Sequence, residues 1–164
     1  MIKEKYSGEV DMEVATVADA KDVHAIMTAA FSRYKHDPFP TSALQETVAS
    51  VRKDLQNGEL AFFYVEKNER VGMVRCVLKK DYLYFRRLSV LPKMQGKGIA
   101  KKILAYLEVE AERLNLSTIR CKVRKSEPKN IALYESVGYV ITGEEDVEKE
   151  HGALPIVLME KQLH

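Results

Sequence analysis

The segment Leu88-Ser89-Val90-Leu91-Pro92-Lys93-Met94-Gln95-Gly96-Lys97-Gly98-Ile99-Ala100 decides the reading of this chain. An aromatic and β-branched run, Tyr82–Val90, leads into it and reads as a strand. The residues Ile99, Ile103, Leu107, Ala111 and Leu114 lead out of it on one face of a long helix. Two glycines and an alanine therefore stand where a helix begins, and small residues let a ligand come close to the backbone. The first N–H groups of a helix have no partner inside it. They also lie at the positive end of a dipole of roughly half an elementary charge. Such a turn suits an anion such as a pyrophosphate, and Lys97, Lys101 and Lys102 add positive charge.

The same glycines fit a plain tight turn equally well. A Walker loop needs Gly-x-x-x-x-Gly-Lys-Ser/Thr, which is absent. A dinucleotide fingerprint needs a small residue three after Gly98, where Lys101 stands.

Upstream, Leu60–Glu66, Val71–Leu78 and Tyr82–Val90 are strands joined by short polar turns, which predicts an antiparallel meander. Before them, Met12–Thr16 alternates as a strand. Val23, Ile26, Met27, Ala30 and Phe31 mark a first helix, and Leu44, Val48, Val51 and Leu55 a second, stopped by Asn57-Gly58. His36–Pro40, with two prolines, predicts an exposed loop. Downstream, Ser117–Val123 is a strand, and Pro128 to Gly138 encloses a short helix. Tyr139–Gly143 and Pro155–Lys161 are closing strands, with the charged span Glu144–Gly152 between them expected to be mobile. Strand, long helix, strand from Tyr82 to Val123 is a crossover that makes those two strands parallel. The predicted fold is α/β (α+β), a mixed, mostly antiparallel sheet of about seven strands flanked by about four helices. No linker divides the chain, so it reads as one domain over residues 1–164, with its core at 12–163.

Composition limits the function classes. The chain has 164 residues, 46% of them apolar, which is enough for a core without disulfides or metal. Lys plus Arg is 26 and Asp plus Glu is 24, a net charge of +2 that gives no reason to expect nucleic acid. Cys76 and Cys121 stand alone in apolar stretches and read as buried thiols in a reducing compartment. His24, His36, His151 and His164 are scattered, without metal-ligand spacing. Met1–Asp11 lacks the pattern of a signal peptide, and no run approaches the ~18 apolar residues of a membrane span, so the expectation is a soluble, cytoplasmic protein without membrane attachment.

Two blocks at the right separation resemble a known family. Gln95-x-x-Gly98-x-Ala100 matches the Gln/Arg-x-x-Gly-x-Gly/Ala acetyl-CoA signature of the GNAT superfamily of N-acetyltransferases, and Leu88–Pro92 matches its Leu-x-Val-x-Pro lead-in. Asn130-Ile131-Ala132-Leu133-Tyr134-Glu135-Ser136-Val137-Gly138-Tyr139 resembles the Ile-x-Leu-Tyr-x-x-x-Gly-Phe/Tyr block. The order of elements fits from about Met12 to Leu163. The resemblance implies transfer of an acetyl group from acetyl-CoA to a primary amine, small-molecule or peptide, by direct attack in a ternary complex without metal. A homodimer is left open. A non-catalytic acyl-CoA-binding sensor or scaffold is the alternative.

The resemblance also implies roles. The pyrophosphate would sit on Gln95, Gly96, Lys97, Gly98, Ile99 and Ala100. The pantetheine arm would lie beside the main chain of Leu88 and Val90, where a bulge opens the sheet near the end of that strand. Asn130 would reach the cofactor, and Tyr134 would act as the acid for the departing thiolate. Two positions depart from the family pattern. Tyr84 stands where many relatives place a basic Glu or His, followed by Arg86 and Arg87. Glu127 stands where relatives often carry Asn, seven residues before Tyr134. His36, Glu150 and His151 are loop residues near enough to consider as bases. Strand alternation places Arg86 and Arg87 on opposite faces, one of them facing the acceptor and favouring a carboxylate.

Overall fold

The computed structural model describes residues 3–6 and 10 by backbone, and 11–39, 41–150 and 152–163 in full. Pro40, His151 and His164, and most of Met1–Asp11, lie outside the fully described residues. The elements run β1 Lys3–Tyr6, β2 Val10–Val14, α1 Ala20–Phe31, α2 Val48–Gln56, β3 Leu60–Glu66, β4 Glu69–Leu78 and β5 Tyr82–Val90. They continue as α3 Ile99–Arg113, β6 Thr118–Arg124, α4 Pro128–Ser136, β7 Val140–Lys149 and β8 Gly152–Gln162. Leu44 falls in a separate 3₁₀ turn, Ser42–Gln45, because Thr47 caps α2 with its hydroxyl accepting from Ser50 N.

The strands form one sheet in the order β1-β2-β3-β4-β5-β6-β8-β7, the seven expected plus β1. Every pair is antiparallel except β5–β6, which the α3 crossover makes parallel. Alternation along the central strands builds a core on each face. Phe62, Tyr64, Val74 and Cys76 join Ile103, Leu104 and Leu107 of α3 on one face. Ala61, Phe63 and Met73 join Val23, Met27, Val51 and Leu55 of α1 and α2 on the other.

Two expectations need correction. Glu144–Lys149 is not a mobile loop: it extends β7 against β8, and Lys122–Glu145 at 2.9 Å and Lys125–Glu144 at 2.8 Å pin its charges. Arg86 and Arg87 do not face opposite ways. Met73 pairs with Ser89 and Arg75 with Arg86, so Val74 alone stands opposite both Arg87 and Leu88. This is a β-bulge inside β5, with Arg87 at φ 58°. The extra residue resets the alternation, and both arginines point to the α2 side.

There they join a charge network around Arg75, whose side chain is fully buried. Arg75 Nη1 donates to both carboxylate oxygens of Glu46 at 2.8 and 3.0 Å, Nη2 donates to Asp54 at 2.8 Å, and Nε donates to Glu59. Arg86 also donates to Glu59 and Asp54, and Arg87 to Glu46 and Ser42. Three arginines thus meet three carboxylates, which ties residues 42–59 to the bulge.

Candidate functional site

β5 and β6 pair only through Tyr84 and Arg120, after which they part. On its other side β6 pairs with β8 along its whole length, from Thr118 to Arg124. From Phe85 to Val90, β5 therefore has no strand partner on its β6 side among the described residues. The bulge and this splay open a cleft of about 760 Å³, within the range of small-molecule sites.

Of the residues expected to hold the cofactor, Leu88, Val90, Gln95, Gly96, Gly98, Ile99, Ala100 and Asn130 line this cleft, as does Tyr134. Lys97 does not: its ammonium turns toward Met94 sulfur at 3.8 Å. Gln95 Nε2 donates to Val90 O at 3.1 Å, which fastens the turn to the end of β5. Gly98 is the residue before α3 and has φ 81°, as Gly96 has φ 80°. An added Cβ at either would meet no atom within 4 Å, so conformation rather than space calls for glycine there. The first turn of α3 opens on the cleft through Gly98, Ile99, Ala100 and Lys101.

A free strand edge, a glycine turn at a helix N-terminus and a long cleft between them fit an extended acyl carrier ending in a pyrophosphate. Among the described residues, no group of three His, Cys, Asp or Glu side chains is placed to hold a metal.

Tyr134 stands at the inner part of the cleft, 9% exposed. Its ring packs on Phe85 and Tyr139 at centroid distances of 5.7 and 5.9 Å. Its hydroxyl makes no hydrogen bond among the described residues, whereas the pocket beside it is open. Burial raises its pKa well above the ordinary phenol value, with the Cys121 and Tyr34 groups adding to the effect, so it is a protonated donor at neutral pH. Burial also pushes the Cys121 thiol up to about 12, which removes it as a nucleophile. Tyr84 lines the cleft as well, and burial raises its hydroxyl too.

His36 and Glu150 do not line the cleft, and His151 lies outside the described residues. A group that the sequence did not mark as a site does line it. Glu127, just before α4, accepts a hydrogen bond from the Tyr34 hydroxyl at 2.5 Å. Arg33 donates to Tyr34 at 2.5 Å and lies 3.4 Å from Glu127. Arg33 and Tyr34 follow α1, so nearly a hundred positions separate them from Glu127, and no local pattern joins them.

The model of the family described as Acetyltransferase (GNAT) family matches residues 21–139. The [ribosomal protein bS18]-alanine N-acetyltransferase of Escherichia coli (strain K12) is 32% identical over 84 residues, 51% of this chain and 50% of that protein. The match thus spans about half the length of the curated relatives. The crystal structure of the ribosomal-protein-S18-alanine N-acetyltransferase from Escherichia coli superposes with a TM-score of 0.74 at 18% identity, covering 93% of this chain and 94% of that one. The PaiA N-acetyltransferase from Thermoplasma acidophilum in complex with coenzyme A gives 0.73 at 13% identity, covering 92% and 98%. At such identities the structural likeness speaks for the fold.

Proposed function

The chain belongs to the GNAT acetyltransferase family, and from that premise we propose that it transfers an acetyl group from acetyl-CoA to a primary amine within one transferase domain. The observation that carries the reading is the cleft: one opening holds the Gln95–Ala100 turn and Tyr134 at opposite ends of a free strand edge. Acetyl-CoA supplies an activated thioester when bound. The turn would hold its pyrophosphate on backbone N–H groups, and the main chain of Leu88 and Val90 would bond its pantetheine amides as a neighbouring strand does. Asn130, on the first turn of α4, would meet the arm farther in. Tyr134 would hand its hydroxyl proton to the sulfur as it leaves. Two buried free thiols suit a reducing, cytoplasmic setting.

The acceptor class follows less directly. The bacterial relative named above acetylates a ribosomal-protein alanine, which makes the α-amine of a peptide the first acceptor to try. An amine panel containing an N-terminal alanine peptide, a lysine side-chain peptide and spermidine, each with acetyl-CoA and a thiol-release readout, tests the reading. Acetyl-dependent thiol release with at least one amine is expected. Acetyl-CoA binding without release from any amine would favour a sensor instead.

A further inference from the structure

The cleft has one acid in it. Among the described residues that line it, Glu127 is the only carboxylate, against Arg33, Arg86, Arg87, Lys101, Lys122, Arg124 and Lys149. Most of those cations are held by acids outside the cleft: Arg86 and Arg87 by the Arg75 network, Lys122 by Glu145, Arg124 by Asp37 at 3.6 Å. Glu127 is held differently. Tyr34 and Arg33 both engage its Oε1, and its Oε2 has no partner among the described residues. The Tyr34 ring is itself fixed, with the Arg33 guanidinium 4.7 Å and the Arg124 guanidinium 5.6 Å from its centroid. One oxygen of a carboxylate is therefore locked while the other remains open to an N–H donor in the cleft.

Glu127 is the residue before α4, with non-helical backbone, and Glu127, Asn130 and Tyr134 all line the cleft. At 1.5 Å per residue Glu127 and Tyr134 are separated by about 10 Å along the axis. Their side chains can thus approach one reacting centre from two sides, the carboxylate directly or through one water. Among the described residues no other carboxylate lines the cleft, and Tyr84 stands at the strand position expected to carry a base.

We propose that Glu127 takes the proton from the attacking amine, with Tyr34 and Arg33 as positioning residues that aim its free oxygen. This assignment rests on the acetyl-transfer reading. The amine nitrogen forms its bond to the acetyl carbon, and the C–S bond breaks with its electron pair going to sulfur. The nitrogen proton goes to Glu127 Oε2, and sulfur takes a proton from Tyr134. Glu127 and Tyr134 return to their starting states by exchange with water, so the sum is amide plus free thiol. Arg33 and Tyr34 contact Glu127 directly; Arg124 stands over the Tyr34 ring and pairs with Asp37, and Arg124, Tyr134 and Lys149 line the same cleft.

The test uses the full chain, acetyl-CoA and whichever panel amine the wild type acetylates, with E127Q and Y34F. E127Q should lower kcat by about 10²–10⁴-fold. Acetyl-CoA affinity by calorimetry and melting temperature should stay close to wild type. It should also lose the acidic limb of the kcat–pH profile. A second readout bears on Tyr34: Y34F should lower kcat while acceptor KM, acetyl-CoA affinity and melting temperature stay close to wild type, and the double variant E127Q/Y34F should be no slower than E127Q alone. Wild-type turnover with an unchanged E127Q rate and profile overturns the assignment alone. An unchanged kcat in Y34F, or a further loss in the double variant, overturns the part given to Tyr34. No turnover by the wild type with any amine overturns the transfer reading and this assignment with it.

Discussion

Arg87, held at φ 58° in the bulge of β5, sets its Nε 3.1 Å from Oε2 of Glu46, the carboxylate that also grips Arg75. A side chain other than glycine in the left-handed region costs roughly 1–2 kcal/mol. The bulge that opens the cleft is thus kept by a charge contact rather than by a residue that prefers the conformation. Arg87→Ala should lower stability by about 1–3 kcal/mol, since it keeps the strain and loses the contact. Arg87→Gly should cost less than Arg87→Ala, by about 1 kcal/mol. That reverses the usual strand ranking, in which glycine is the worse of the two by roughly 0.5–1 kcal/mol. Urea melts of both variants decide it, and alanine ranking above glycine would show that residue 87 is not left-handed in solution.

Arg75 is the hub of the same network, and Glu59 beside it is only 6% exposed. Arg75→Met fills the space but leaves three carboxylates, with Glu59 buried among them, to share Arg86 and Arg87. The expected loss is about 3–5 kcal/mol, or roughly 6–20 °C in melting temperature for a domain of this size. Restoring part of that loss by adding Glu59→Gln would show that the excess negative charge, and not the packing, is responsible.

The network also sets an acid limit. Burial pushes the Glu46 carboxyl up, but hydrogen bonding and charge from Arg75, with the charges of Arg87 and Arg86, hold it below the usual range. Asp19 is likewise lowered: burial opposes, while the Thr16 backbone and hydroxyl and then Arg70 outweigh it. A lowered carboxyl contributes stability that is fully present above its unfolded pKa, about 4. It is lost as pH falls through the lower folded value. Unfolding free energy should therefore vary little on account of these two groups between pH 5 and 7 and drop below about pH 4. In Arg75→Met the drop below pH 4 should be shallower, because Glu46 has lost its main partner. An equal slope in both proteins would assign the acid sensitivity to other carboxylates.

How the chain could be read from its sequence depends on the range over which each feature is written. The α3 helix was legible because Ile103, Leu107 and Ala111 repeat within a few residues, and the turn because Gly96, Gly98 and Ala100 are adjacent. The two-faced pattern of Ala61, Phe62, Phe63 and Tyr64 was legible as a strand, and its division between two cores follows from alternation. The bulge was not legible at its position, since Arg87 carries no glycine or asparagine to announce a positive φ. β7 was hidden beyond Gly143 because charged residues disguised its alternation, which only pairing with β8 and lysines from β6 and the segment after it makes stable. The Arg75 network joins residues 16 to 45 positions apart, and the Tyr34–Glu127 contact 93. A single sequence gives no periodicity over such distances.

Gly98 separates two effects that a substitution would ordinarily mix. Gly98→Ala adds a Cβ that meets nothing, at φ 81°, so it should cost stability by about 1–2 kcal/mol. Its effect on acetyl-CoA affinity should be small where the folded fraction is complete. Gly98→Glu carries the same strain and adds a negative charge at the helix N-terminus, where an anion is expected to bind. It should weaken acetyl-CoA by about tenfold or more, ~1.4 kcal/mol. Calorimetric titration with folded protein checks the pair, and equal affinities in glutamate and alanine variants would remove the turn as the pyrophosphate site.

Tyr134→Phe isolates the hydroxyl. The ring lies against Phe85 and Tyr139, and phenylalanine keeps both contacts. The hydroxyl has no hydrogen bond to lose among the described residues, so the melting temperature should stay within a few degrees of wild type. Phenylalanine in a partly apolar site could even raise it slightly. The rate is another matter. A CoA thiolate leaving at neutral pH resembles a free thiolate of pKa about 8.5, and a phenol beside it can donate first a hydrogen bond and then a proton. Burial that raises the phenol's own pKa keeps it protonated through the working pH range and makes the proton harder to give, so the transfer must follow charge development on sulfur. General-acid assistance of this kind is typically worth about 10²–10⁴-fold. Tyr134→Phe should lower kcat by that order, with acetyl-CoA affinity unchanged. A donor with a better leaving group, such as an acetyl aryl thioester, should shrink the defect because its thiolate needs no proton. Unchanged kcat with acetyl-CoA, in a variant whose acetyl-transfer step limits the rate, would return Tyr134 to the core as a packing residue. A large defect that persists with the aryl thioester would instead assign the hydroxyl to orienting the acyl group rather than to protonating sulfur.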